Sequence, residues 1–218
     1  MDDAENFDGG KQVDGRKRYI VLDDRLASSV PGKHMTVAFA HCTAWHDAWV
    51  ENKERAEGLS ELGDLLMSLS NRPAVSVRYG RFPAGTTPDH GRGSLAGHVH
   101  ALVADLHPMW ERHLASGAVP PSASQVEARL EPLTANVAIE LMTTLAADDL
   151  VRPSSKLMNR EIAQHTVTRI VKWLGSGATW WTNRQGSSWD PVTACTFDGV
   201  VAGSDGEYFA ILIQFGED

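Results

Sequence analysis

The sequence predicts an α+β fold: N-terminal strands, a central helical region that holds a closely spaced helix pair, and a C-terminal β-hairpin. Three observations carry this. Strict apolar–polar alternation in Ala74–Tyr79 (AVSVRY) marks a strand. Apolar residues recur at spacings of three and four through most of the stretch from Leu95 to Leu174, the signature of helices that bury one stripe. Two β-rich runs, Val192–Gly203 and Glu207–Phe215, flank Ser204-Asp205-Gly206, where Gly206 can take the positive φ of a hairpin turn.

The 218 residues fit one large domain or two small ones, and 42% hydrophobic with 22% charged residues is a globular composition. Residues 1–16 are acidic and Gly-containing and read as a flexible arm. Residues 17–218 read as a single compact unit, with a strand-rich part over 17–90, a helical part over 94–174 and the hairpin over 190–216. Lys17–Asp23 (KRYIVLD) is the first expected strand and His34–His41 the second. A helix is expected from near Thr43 to Leu69, with Leu59, Leu62, Leu65, Leu66 and Leu69 on its apolar stripe. Gly80–Gly93 reads as a loop.

The next helix spans Ser94–Ser116, and Pro108 should kink or split it. A short helix from Ser122 to Leu130 follows. Pro132 disfavours helix at Glu131, so a turn is expected there, and Thr134 can cap a second helix carrying Val137, Leu141 and Leu145. Ser154–Leu174 reads as a further helix stopped by Gly175. Gly175–Pro191 reads as a loop holding Trp180, Trp181 and Trp189, three of seven tryptophans. The alternation in 207–215 is apolar on both faces, which places the last strand inside a sheet or against a partner.

Short helix, turn and longer helix make a helix-turn-helix pattern. With the tail Asp148-Asp149-Leu150-Val151-Arg152, the stretch from Ser122 to Arg152 resembles the winged helix-turn-helix family of bacterial regulators. The chain departs from the family's Gly at Asp149 and from its small or polar turn residue at Glu131. The resemblance implies that Asn136, Glu140, Thr143 and Thr144 face bases or a protein partner, and that Arg152, Lys156 and Arg160 contact phosphate. The helix from Asn136 to Ala147 carries no Lys or Arg, which argues for weak nucleic-acid affinity or for a protein partner at the same surface.

Charge supports that emphasis. Between Arg152 and Arg184 six basic residues face one acid, Glu161, so this segment is +5 and the rest of the chain −13, for a net −8. DNA or an acidic protein partner fits the segment 152–184. No apolar run approaches a membrane span, the acidic N-terminus is unlike a signal peptide, and two cysteines make no disulfide framework, so a cytoplasmic setting is expected. No motif calls for a cofactor, and no G-x-S-x-G or HExxH occurs.

The leading expectation is therefore a non-enzymatic binding protein, a regulatory or adaptor subunit. One alternative is a structural or assembly subunit, homo-oligomeric or part of a larger complex, that packs its tryptophans and hairpin edge on neighbours. Another is a small metal-dependent enzyme built on His98, His100 and His107, although a helix would point His98 and His100 about 200° apart.

Overall fold

A computed structural model describes residues 57–70, 74–83, 91–111, 118–185 and 188–217. All of them lie in the unit Glu51–Asp218. The acidic arm, the strands expected at 17–23 and 34–41, and Cys42 lie outside the described residues. The first described strand follows a helix.

In order, the elements are helix α1 (57–69), strand β1 (Val75–Arg81), helix α2 (Gly91–Trp110), helix α3 (Ala123–Arg129), strand β2 (Glu131–Leu133), helix α4 (Ala135–Ala147), helix α5 (Arg160–Leu174), strand β3 (Thr179–Thr182), the short strands β4 (Arg184–Gln185) and β5 (Ser188–Trp189), and the long strands β6 (Phe197–Ser204) and β7 (Tyr208–Gly216). Five strands form one antiparallel sheet in the order β1-β7-β6-β3-β2, and β4 pairs with β5.

The sheet is covered on both faces, and alternation along β7 shows it directly. Tyr208, Ala210 and Leu212 join a cluster with α1, α4 and α5, while Phe209, Ile211, Ile213 and Phe215 join one with α2 and α3. A central strand buried on both faces has no polar side to display, which is why its sequence reads as a continuous apolar run. The expected hairpin is present as β6–β7, with Gly206 at φ 95° in its turn. Residues 192–196, expected to begin its first strand, form bends instead.

Three further expectations are corrected. The supposed turn at Glu131–Ala135 contains β2. Pro132 pairs opposite Trp181 on the sheet's edge, the position where a residue without an N–H costs no ladder hydrogen bond. The chain therefore crosses from one side of the sheet to the other between the two helices. Val126 of α3 packs with α2, whereas Met142 and Leu145 of α4 pack with α1 and α5. Both helices of the expected pair exist, but a strand separates them and they cover opposite faces, so they are not packed as a helix-turn-helix.

The expected loop at Gly175–Pro191 contains β3, β4 and β5. Trp180 and Trp181 point to opposite faces, and both find cover because the sheet has two helical layers. Helix α5 begins at Arg160, not Ser154, because Asn159 caps it by accepting from Glu161 N and Ile162 N. Pro108 lies in the last turn of α2, two residues before the helix ends at Trp110, and residues 112–117 of the expected helix lie outside the described residues.

Candidate functional site

A cavity of about 570 Å³ lies on the α4–α5 side. It is built from three separate stretches of chain. Helix α4 starts where Thr134 accepts the N–H of Val137 at 3.4 Å. This phase turns Val137, Glu140, Leu141 and Thr144 outward along one side, with Ala138, Met142 and Leu145 buried. Helix α5 lies alongside and contributes Arg160 and Gln164, one turn apart. Arg184 enters just after β3.

Each wall is held by the sheet. The buried Gln214 of β7 donates to Asp148 O at 2.7 Å and accepts from Leu150 N at 3.0 Å, fixing the end of α4 and placing Leu150 on the cavity wall. Asp148 then accepts from Lys156 Nζ at 2.7 Å and from Arg160 at 2.8 Å. A second Arg160 nitrogen reaches Thr144 Oγ1 at 3.3 Å. The Arg160 guanidinium is thus oriented by Asp148 and Thr144. Gly199 on β6 is required where the Arg184 side chain passes. A Cβ there would lie 2.8 Å from Leu145 Cδ2 and 2.9 Å from Arg184 Cδ. Burial lowers the Arg184 pKa below its ordinary value, and the carboxylate of Asp198 opposes the shift.

Behind Arg184 lies a buried polar network. Asp198 is fully buried and accepts four hydrogen bonds: from Asn183 Nδ2 at 2.6 Å, Val192 N at 2.9 Å, Thr193 N at 2.7 Å and Thr193 Oγ1 at 2.7 Å. Burial raises its carboxyl pKa, and the bonds from Thr193, Asn183 and Val192 pull it back. This network ties the 190–196 bends to β6 and the end of β3, so its role is architectural. The buried Cys195 thiol is pushed up to about 11, mainly by burial, and is protonated and inert at neutral pH.

Of the residues expected from the sequence, the cavity collects Glu140, Thr143, Thr144 and Arg160. Thr143 is 2% exposed and lines the cavity, so it does not stand on the outer face of α4 where a duplex would lie. Asn136 is exposed on the first turn of α4, away from the cavity lining. Arg152 is exposed in the turn after α4, and Lys156 is exposed but paired with Asp148. Arg169 pairs with Glu61. The basic segment 152–184 is thus partly neutralised by the body it folds onto. Sequence reasoning missed Gln164, although its spacing from Arg160 on an expected helix could have revealed it. Arg184 counts only within the basic segment 152–184 and not among the site residues, because its strand reads as loop in the sequence.

His98 and His100 do not converge. His98 stacks on Phe209 at a centroid distance of 4.0 Å, and the His100 Nδ1 bonds Pro121 O at 3.0 Å. Among the described residues no three His, Cys, Asp or Glu side chains are placed to hold a metal ion. Among them also, no helix is long and apolar enough to cross a membrane. No protein-family model, curated protein or solved structure matches the chain.

Proposed function

We propose that this chain is a non-enzymatic binding protein, a regulatory or adaptor subunit, and that the α4–α5 cavity is its binding site. The observation that carries the reading is the convergence of side chains from α4, α5 and the start of β4 on one cavity of about 570 Å³, within the usual range for small-molecule sites. Its polar groups suit recognition. The guanidinium groups of Arg160 and Arg184 are planar forks of five N–H donors, which suits them to orienting a ligand. Apolar residues of α4 supply the area that makes binding favourable.

Duplex DNA suits this surface less well. Thr143 is buried, and the Lys156 and Arg160 charges are shared with Asp148. Anisotropy with labelled duplex should therefore show no steep salt dependence between about 50 and 200 mM.

The direct test is a ¹H–¹⁵N NMR titration of the full chain against a small-molecule fragment mixture. Shifts should cluster on amides 137–150, 160–164 and 184. Binding that perturbs only other regions, or none at all, overturns the reading.

A further inference from the structure

We propose that the α4–α5 cavity takes a small monocarboxylate: a carboxylate head held by the Arg160 and Arg184 guanidinium groups, and an apolar body lying along Leu141 towards Val137. This rests on the cavity being the binding site and adds the chemistry of what enters it.

The head group is placed by the donors. Arg160 bonds Thr144, and the Arg184 side chain passes Leu145, so both guanidinium groups belong to the C-terminal half of α4. Arg160 uses one nitrogen on Asp148 and one on Thr144, which leaves part of its five-donor fork for a ligand. Planar guanidinium forks match carboxylates with two parallel hydrogen bonds. Gln164 adds an amide to the same wall.

Thr143 supplies a separate observation. It lines the cavity and is 2% exposed, yet its hydroxyl has no hydrogen-bond partner among the described residues. Thr144 and Thr168 both donate to the carbonyl four residues earlier, at 2.9 and 2.7 Å; Thr143 does not take that bond. A buried hydroxyl left unpaired costs stability, so a polar partner reaching it from the cavity would be favoured.

Charge limits the ligand to a single negative group. Glu140 lines the cavity, Asp148 shares Lys156 and Arg160, and Asp198 lies behind Arg184. The site is rich in donors but close to neutral, which disfavours a polyphosphate. Val137, 47% exposed at the rim, and Leu141 offer the apolar half.

The test is a titration of the full chain with sodium octanoate, followed by NMR and calorimetry. Octan-1-ol provides the same body without charge, and acetate the head alone. Octanoate should shift the α4 and α5 amides and bind at least about tenfold more tightly than either control, a difference of about 1.4 kcal/mol. Arg160→Gln should weaken octanoate about tenfold and leave octan-1-ol unchanged, while exposed ion pairs of this kind contribute too little to unfold the chain when lost. Thr143→Val removes the hydroxyl while nearly keeping its shape. It should leave the free protein as stable as before or more so, and still weaken octanoate.

Octan-1-ol binding as tightly as octanoate at the α4–α5 amides would overturn the carboxylate assignment and leave the cavity as a binding site. Octanoate affinity unchanged in both variants would overturn it too. Silence of these amides to all three probes and to the fragment mixture would remove both readings.

Discussion

Asp198→Asn is the sharpest probe of this architecture, because it changes one charge and almost no volume. Every atom facing the Asp198 carboxylate is a donor: Asn183 Nδ2 on Oδ1, and Val192 N, Thr193 N and Thr193 Oγ1 on Oδ2. An asparagine can keep the three bonds at Oδ2 only by turning its own NH₂ towards the NH₂ of Asn183, at the 2.6 Å now spanned by a hydrogen bond. Asn183 cannot flip to relieve this. Its Oδ1 accepts from Val200 N at 2.8 Å, and its Nδ2 also donates to Asp190 O at 3.0 Å.

The substitution therefore removes one charge-assisted bond, about 1.5–3 kcal/mol, and leaves a buried donor unpaired, about 1–3 kcal/mol. One term runs the other way. Burial raises the Asp198 pKa, so burying its charge works against folding at neutral pH, and a neutral amide escapes that cost. The net expectation is a loss of about 2–3 kcal/mol, with Asp198→Ala losing more, about 3–5 kcal/mol, because all four donors are orphaned. Urea unfolding at pH 7, followed by tryptophan fluorescence, measures it. Asp198→Asn at or above wild-type stability would refute the claim that the four donors hold a carboxylate.

Three further outcomes follow from other parts of the fold. Gly203→Ala would set a Cβ 2.4 Å from Trp180 Cε3 and Cζ3, against a rigid ring that is 2% exposed, so it should cost about 2–3 kcal/mol in the same unfolding assay. Gln214→Leu would orphan Leu150 N–H and Asp148 C=O, and should cost about 2–3 kcal/mol and speed hydrogen exchange at the Leu150 amide. Burial, and then the charge of Arg78, lower the His98 pKa, so the unfolded chain takes up this proton first as the medium acidifies. Stability should hold above about pH 6.5 and fall as pH drops through the unfolded value, levelling off below the folded one. In His98→Phe that component of the acid-side slope should disappear from urea midpoints measured between about pH 7 and 5.

The candidate site was half legible in the sequence. Glu140, Thr143, Thr144 and Arg160 were singled out through a resemblance to a DNA-reading helix pair, and four side chains of that set do line one cavity. The arrangement that motivated them does not occur. The reason is local: Glu131-Pro132-Leu133 is too short and too polar to declare itself a strand, and it becomes one only because Thr182, Trp181 and Trp180 stand opposite it. A three-residue edge strand is made by its neighbour, and the neighbour lies about fifty residues away in sequence.

What the sequence determined by itself is everything governed by contacts a few residues apart. Thr134 is a helix cap, Gly175 and Gly206 take positive φ, and β7 carries apolar residues on both faces. Each is set by backbone geometry or by period. Only the tertiary structure decided which helices share a face, that Trp180 and Trp181 are covered from opposite sides, and that Arg184 meets α4. Those outcomes depend on strand order and on the side to which each crossover sends the chain. Packing of the whole sheet selects them, and no local pattern encodes them.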